Sequence, residues 1–368
     1  MNIRVGQDDR TVPINLQARK PDTLQSFLLR STGIDVDISQ PFIRLPFAFD
    51  ANRLADEILA LPDAAWMSHP SDLKGNSAVA LISRDGGDNN DFEGAMSETP
   101  HLQACPYMRQ VLASFGEVFG RSRLMKLTPG AEVSQHVDFN YHWYTRVRIH
   151  VPVITNPGVT FYCADQDTHM RAGECWIFNS WRRHRVTNDS DEERVHLVID
   201  TAGSSRFWTL VRKMDQLHYV TDAAEIDSLT KAVPYREGAE AVIHTEQYNV
   251  TPVMSPGEVD ALVDGVIGEF QDNPNNDSAI VHEYRTLLLD FAKDWREIWH
   301  LHGYGKKGWP KYQQAIDAVL DGLHSNPRTL VTQSNEVGVN PVIVQRVLGS
   351  ALVVEQLDRF TSRVEPGS

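Results

Sequence analysis

Gln135-His136-Val137-Asp138-Phe139 sets an imidazole and a carboxylate two residues apart. On a strand, residues i and i+2 leave the same face, so His136 and Asp138 can converge on one metal ion. A third ligand must come from elsewhere. His184 lies in Trp181-Arg182-Arg183-His184-Arg185-Val186, just ahead of a candidate strand, and fits that order. Two imidazoles and one carboxylate on one face of an iron leave three positions open, the arrangement of non-haem iron oxygenases. An HxD pair alone says little, because most strand histidines are hydrogen-bonded core or surface residues. A downstream arginine adds to it: Arg194 heads the segment Arg194-Val195-His196-Leu197-Val198-Ile199-Asp200. A guanidinium holds a carboxylate with two parallel hydrogen bonds. The far carboxylate of 2-oxoglutarate needs such a partner once its other end chelates a metal. In isolation Arg194 reads as a surface residue at a strand end; after HxD and then His it does not.

Arg146, Arg148 and His150 alternate, so they share one strand face. Buried there, two guanidiniums are costly without anions. That makes one or both candidate carboxylate anchors, although a structural salt bridge is an equal reading of Arg146. Trp143 follows the HxD segment and Trp181 precedes the distal histidine, so either can form a substrate wall, or simply pack the rim of a β-sandwich. Arg182, Arg183 and Arg185 read mostly as solvent-facing, with room for one of them to guard the pocket mouth.

The elements that must position these residues are short. Arg123–Leu127, Thr145–Ile154, Val159–Cys163, Glu174–Phe178, Val186–Asn188 and Arg194–Asp200 read as strands. Pro129-Gly130, Asn156-Pro157-Gly158, Ala172-Gly173 and Asn188-Asp189-Ser190 supply turns between them. Many short strands with frequent turns predict an antiparallel jelly roll. Helical periodicity covers Asn52–Leu61 and His101–Gly120 before the strands. It returns in Pro256–Phe270, Ser278–His300, Trp309–His324 and Pro341–Leu352. The expected fold is mainly β with appended helices: a double-stranded β-helix (cupin-like) core and a C-terminal α-helical domain. The expected boundaries are an N-terminal arm over 1–40, the β domain over 41–209 and the helical domain over 210–368.

The chain of 368 residues carries 35 basic and 49 acidic side chains, a net charge of −14. That field argues against a nucleic-acid or anionic-membrane binder, and no apolar run is long enough for a membrane span. A local arginine cluster can still receive an acidic substrate. The three cysteines, Cys105, Cys163 and Cys175, form no CxxC pair. Together with a polar start this predicts a reducing, cytoplasmic setting; a homodimer is compatible with it.

From Leu127 to Asp200 the chain resembles the aspartyl/asparaginyl β-hydroxylase family of Fe(II)/2-oxoglutarate oxygenases, which includes bacterial proline hydroxylases. The matching features run in order. Pro129-Gly130 precedes His136, then comes Arg148-Ile149-His150-Val151-Pro152. Gly173-Glu174 leads into Trp176-Ile177-Phe178-Asn179, followed by His184-Arg185-Val186-Thr187-Asn188 and Arg194 to Asp200. The resemblance implies iron on His136, Asp138 and His184 and 2-oxoglutarate on Arg194. Arg148 and His150 match a further pair lining the co-substrate or substrate pocket. It implies O2 as second co-substrate and hydroxylation of an unactivated C–H in a free amino acid or small amino-acid-derived metabolite. A peptidyl or protein-bound residue is the alternative substrate, and a non-catalytic metal-binding jelly roll the alternative outside enzymes. Vertebrate peptidyl members carry glycine where this chain has Asp138, which places the likeness nearer the bacterial branch. Asp138 also argues against a halogenase, which needs that position for halide.

Overall fold

Alternation of apolar and polar residues along the longest strands decides which face of the sheet meets which layer. In Arg194–Thr201 all eight residues are buried, so its polar side chains face an enclosed space rather than water. Val195, Leu197 and Ile199 join the main core, while Arg194, His196, Val198 and Asp200 leave the opposite face.

The structure, a computed structural model, describes residues 38–68 and 74–353. The expected N-terminal arm therefore lies almost wholly outside the described residues, which all fall in one compact unit, Gly33–Ser368. Ten strands frame the two sheets around the site: β1 (Phe42–Leu45), β2 (Asn76–Arg84), β3 (Val118–Leu127), β4 (Glu132–His136), β5 (Val147–Ile154), β6 (Val159–Cys163), β7 (Gln166–Thr168), β8 (Cys175–Phe178), β9 (His184–Asn188) and β10 (Arg194–Thr201). The large sheet runs β1-β8-β5-β10-β3-β2 and the small one β7-β6-β9-β4, with antiparallel neighbours throughout. The two sheets form a double-stranded β-helix, as expected. At the Ala172-Gly173 turn Gly173 has φ +81°, and a Cβ there would sit 2.4 Å from the Phe49 carbonyl oxygen, so only glycine fits.

Helices cover the outer face of the large sheet. They are α1 (Ala51–Leu59), α2 (Pro106–Phe115) and α3 (Ser205–Met214). Leu54 and Ile58 of α1, Tyr107, Val111 and Phe115 of α2, and Phe207, Val211 and Met214 of α3 pack on Ile43, Leu45, Leu124, Ile149 and Leu197. The helix α3 runs through the expected boundary at 209/210. Its apolar stripe belongs to the β core, as do Ile226 and Ile243 after it. A second core starts at Val253. It is built from α4 (Pro256–Phe270), α5 (Ser278–His302), α6 (Trp309–Gly322) and a π-helical turn over Ile343–Leu348, around Trp295, Tyr284 and Tyr312. The cores thus divide near residue 250 rather than 209, because hydrophobic texture alone does not tell which core an amphipathic helix will cover.

Candidate metal centre and anion pocket

In β4 and β9, His136 and His184 are direct cross-strand partners, and their rings lie 4.1 Å apart between centroids. Asp138 is not on the strand, which ends at His136. Its backbone N–H donates to the Ser180 carbonyl at 3.0 Å, and the chain then enters a short helix, Tyr141–Thr145, capped by Asn140. The expected convergence is reached by this loop geometry rather than by strand alternation. Asp138 Oδ1 lies 3.8 Å from His136 Nε2, and Oδ2 lies 3.9 Å from His184 Nε2. The three ligand atoms fall within 4.8 Å of one another.

The tautomers suit a metal. His136 Nδ1 donates to the Ser134 carbonyl at 2.8 Å and His184 Nδ1 to the Arg182 carbonyl at 2.9 Å. Both Nε2 lone pairs are therefore free to face an ion, the usual outer support of a ligating histidine. Burial, ahead of the opposing pull of Asp138, pushes the His184 pKa down to about 4, so the ring is neutral at pH 7, the form able to ligate a metal. Buried Asp138 Oδ2 has no hydrogen-bond partner among the described residues. An acceptor left orphaned between two imidazole lone pairs fits a divalent cation.

The same residues open on a cavity of about 840 Å³ between the sheets. Arg84, Arg121, Arg123, Arg148 and Arg194 line it, with Asp91, Glu93 and Asp138. Arg194 is 5% exposed. Its Nε has no hydrogen-bond partner, and among the described residues no carboxylate lies within ion-pair distance; Phe161 sits 5.0 Å beneath it. Burial pushes its pKa down to about 9, which still leaves it charged at neutral pH. Arg148 differs: it pairs with Asp200 at 3.4 Å and stacks 3.9 Å over Trp143. His150 lines the cavity with neither ring nitrogen partnered among the described residues, and buried His196 behind it is in the same state.

Two expected substrate residues lie elsewhere. Arg146 makes a two-point ion pair with Glu246, both contacts 2.8 Å, and does not line the cavity. The salt-bridge reading was the right one for it, since β5 begins just after Arg146 and the side chain meets Glu246 instead of the pocket. Trp143 does line the cavity, but Trp181 joins the C-terminal core. Trp181 Nε1 donates to Ser334 Oγ at 2.6 Å, and the Arg346 guanidinium lies 4.2 Å over its ring. From the π-helical turn, Arg346 Nε also donates to the Phe139 carbonyl at 3.1 Å. Arg183, expected in solvent, donates to the Asn335 and Glu336 carbonyls. The π-helical turn and the loop over residues 334–336 thus brace both segments that carry candidate ligands, the one after His136 and the one before His184.

Sequence reasoning missed Arg121, Arg123 and Asp200. Asp200 is 2% exposed; burial raises its pKa, but Arg148, His142 and Arg121 outweigh that and hold it well below the carboxylate range. The signal was present in the alternation Arg121-Ser122-Arg123, flanked by Val118-Phe119 and Leu124-Met125.

Three buried histidines outside the metal set give an acid prediction. Burial pushes His142 down to about 4, and His150 and His196 well below the imidazole range. Unfolded, each takes up a proton near pH 6.5. Between about pH 6.5 and 4 the unfolded chain therefore binds more protons, and stability falls with pH by about 1.4 kcal/mol per histidine per unit. The melting temperature of metal-free protein should drop steadily from pH 7 to 5. A flat profile would mean that these rings are charged or solvated in the native state.

Residues 77–203 match the profile of the aspartyl/asparaginyl β-hydroxylase family. An L-proline cis-4-hydroxylase of Rhizobium meliloti (strain 1021) is 25% identical over 176 residues, 46% of this chain and 63% of that protein. The match thus spans less than two thirds of the relative's length. Among solved structures, a 2OG-Fe(II) oxygenase family oxidoreductase from Burkholderia pseudomallei is similar at 13% identity, with a TM-score of 0.30, over 42% of this chain and 78% of its own. A Pseudomonas putida prolyl-4-hydroxylase is similar at 15% identity, also with a TM-score of 0.30, over 44% and 92%. The motif order from Leu127 to Asp200 falls inside the matched segment.

Proposed function

We propose that this chain is an Fe(II)- and 2-oxoglutarate-dependent oxygenase that hydroxylates an unactivated C–H bond of a free amino acid or small amino-acid-derived metabolite. The observation that carries this reading is Arg194, a buried guanidinium with no carboxylate partner among the described residues, in the same cavity as His136, Asp138 and His184. A metal-binding jelly roll without catalysis gives no reason to bury an unpaired charge beside its metal.

His136 Nε2, His184 Nε2 and Asp138 would hold the iron, and Arg194 the far carboxylate of 2-oxoglutarate. Iron so held supplies the O2 chemistry in which 2-oxoglutarate becomes succinate and CO2 and one oxygen atom enters the substrate C–H bond. The protein's part is placement. The Ser134 and Arg182 carbonyls fix the imidazoles, Phe161 and Phe178 form an apolar part of the cavity wall, and His150 offers it a nitrogen unpartnered among the described residues. A homodimer is compatible with this reading but not required, since one chain supplies all four residues. No described helix is long and apolar enough to cross a membrane. The three unpaired, buried cysteines fit a reducing compartment such as the cytoplasm.

The test is a mass-spectrometric screen of amino acids and their derivatives for a gain of one oxygen, about 16 Da. Succinate release is followed alongside, with Fe(II) and 2-oxoglutarate omitted in turn. Oxygen gain that needs both is expected. Metal binding without any succinate formation would favour the non-catalytic reading.

A further inference from the structure

Arg121 and Arg123 leave the same face of β3, two residues apart, and are 4% and 5% exposed. Arg121 has Asp200 at 3.7 Å and donates to the Asn90 backbone carbonyl at 2.9 Å. Arg123 donates to the Asn90 side-chain oxygen at 3.0 Å, and no carboxylate among the described residues lies within ion-pair distance of it. Burial first, then Arg121 and Arg148, works against its charge. A buried guanidinium held by one neutral carboxamide and facing two others is costly until an anion arrives.

That anion is not the one on Arg194. In the ladder Arg123 is level with Val198, and Arg194 with Leu127. Four residues along a strand separate the two levels by roughly 13 Å, more than a five-carbon diacid spans while it also chelates the metal. The charge balance points the same way. The cavity's five arginines face four carboxylates once Asp200 is included. Fe(II) and doubly negative 2-oxoglutarate cancel each other. A zwitterionic amino acid would leave one guanidinium unmatched, whereas a monoanion balances it.

We infer that the substrate carries a net negative charge, its acid group seated on Arg123 and Arg121 beneath the segment that carries Asn90. The inference rests on the proposed oxygenase reading and narrows its substrate class to an amino acid with an acidic side chain or with an acylated amine. Both are carboxylates of net charge −1.

The probe is calorimetric titration of the Fe(II)-loaded full chain under nitrogen. 2-Oxoglutarate is added first, then L-proline and L-leucine, L-aspartate and L-glutamate, and N-acetyl-L-proline and N-acetyl-L-leucine. Binding of one anionic pair at least about tenfold tighter than the zwitterions is expected, and which pair binds identifies the source of the charge. Arg123→Gln should erase that preference and leave the 2-oxoglutarate titration unchanged, while Arg123→Lys restores part of it. A merely structural Arg123 would weaken all ligands alike and lower the melting temperature. Anions that bind no better than zwitterions, or a preference that survives in Arg123→Gln, overturn the inference. Failure of 2-oxoglutarate to bind would instead remove the oxygenase reading, and the amino-acid panel run without it still decides the charge preference.

Discussion

His136→Ala should lose all detectable turnover while keeping the fold. The His136 side chain is 41% exposed and sits at the end of β4, so its removal opens no core cavity. Of the ligand variants it is therefore the one least confounded by unfolding. Its chemistry should be lost because one imidazole and the carboxylate cannot replace the third donor. Removal of an outer partner already costs about 10–100-fold in metal affinity or activity, and a ligand should cost more. His184→Ala should be equally inactive but less stable, since that ring is 5% exposed and packs on Phe178 at 4.9 Å. Asp138→Ala should match them in activity. The check is Fe(II) affinity by calorimetry, with circular dichroism for the fold and succinate release for turnover. Wild-type turnover in His136→Ala with iron supplied would overturn the metal assignment.

What the sequence made legible follows from which signals are local. HxD, the distal histidine and Arg194 sit on or beside short strands whose alternation is plain, and the ladder joins them. In β10 the alternation Arg-Val-His-Leu-Val-Ile-Asp already separated two faces. The sequence could not say that the polar face was also enclosed, because that depends on the small sheet lying over it. The missed arginines follow from the same cause. Arg121 and Arg123 look like solvent-facing residues of an edge strand until β3 is found between β2 and β10. Arg146 and Trp181 were uncertain for the converse reason. Their partners, Glu246 on one side and Ser334 and Arg346 on the other, are distant in sequence, and no local pattern links them. The boundary near residue 250 was hidden because α3 is as amphipathic as the helices of the second core.

Arg194 is the other residue whose removal should act strongly, and on the proposed reading its effect should fall on one ligand only. The far carboxylate of 2-oxoglutarate lies away from the metal, so a fixed guanidinium contributes to the co-substrate and little to the primary substrate. Truncating one partner of a buried charged pair costs about 2–5 kcal/mol. Arg194→Ala should therefore raise the 2-oxoglutarate requirement well over about tenfold, since 1.4 kcal/mol is a factor of ten. Arg194→Lys keeps a charge but loses the planar two-point contact. It should recover only part of the loss, and less than charge counting alone implies. Iron affinity should barely move, because Arg194 is not among the three clustered candidate ligands. Stability should not fall either. The wild-type guanidinium is desolvated, with no carboxylate among the described residues to offset it, so its removal should relieve a cost in the ligand-free protein. A small rise in melting temperature without 2-oxoglutarate, joined to a loss of 2-oxoglutarate binding, is the signature of a charge kept for a ligand. An unchanged 2-oxoglutarate requirement would move the clamp to another cavity arginine. Arg148 would then be the first to test, although its pairing with Asp200 leaves it less free to serve.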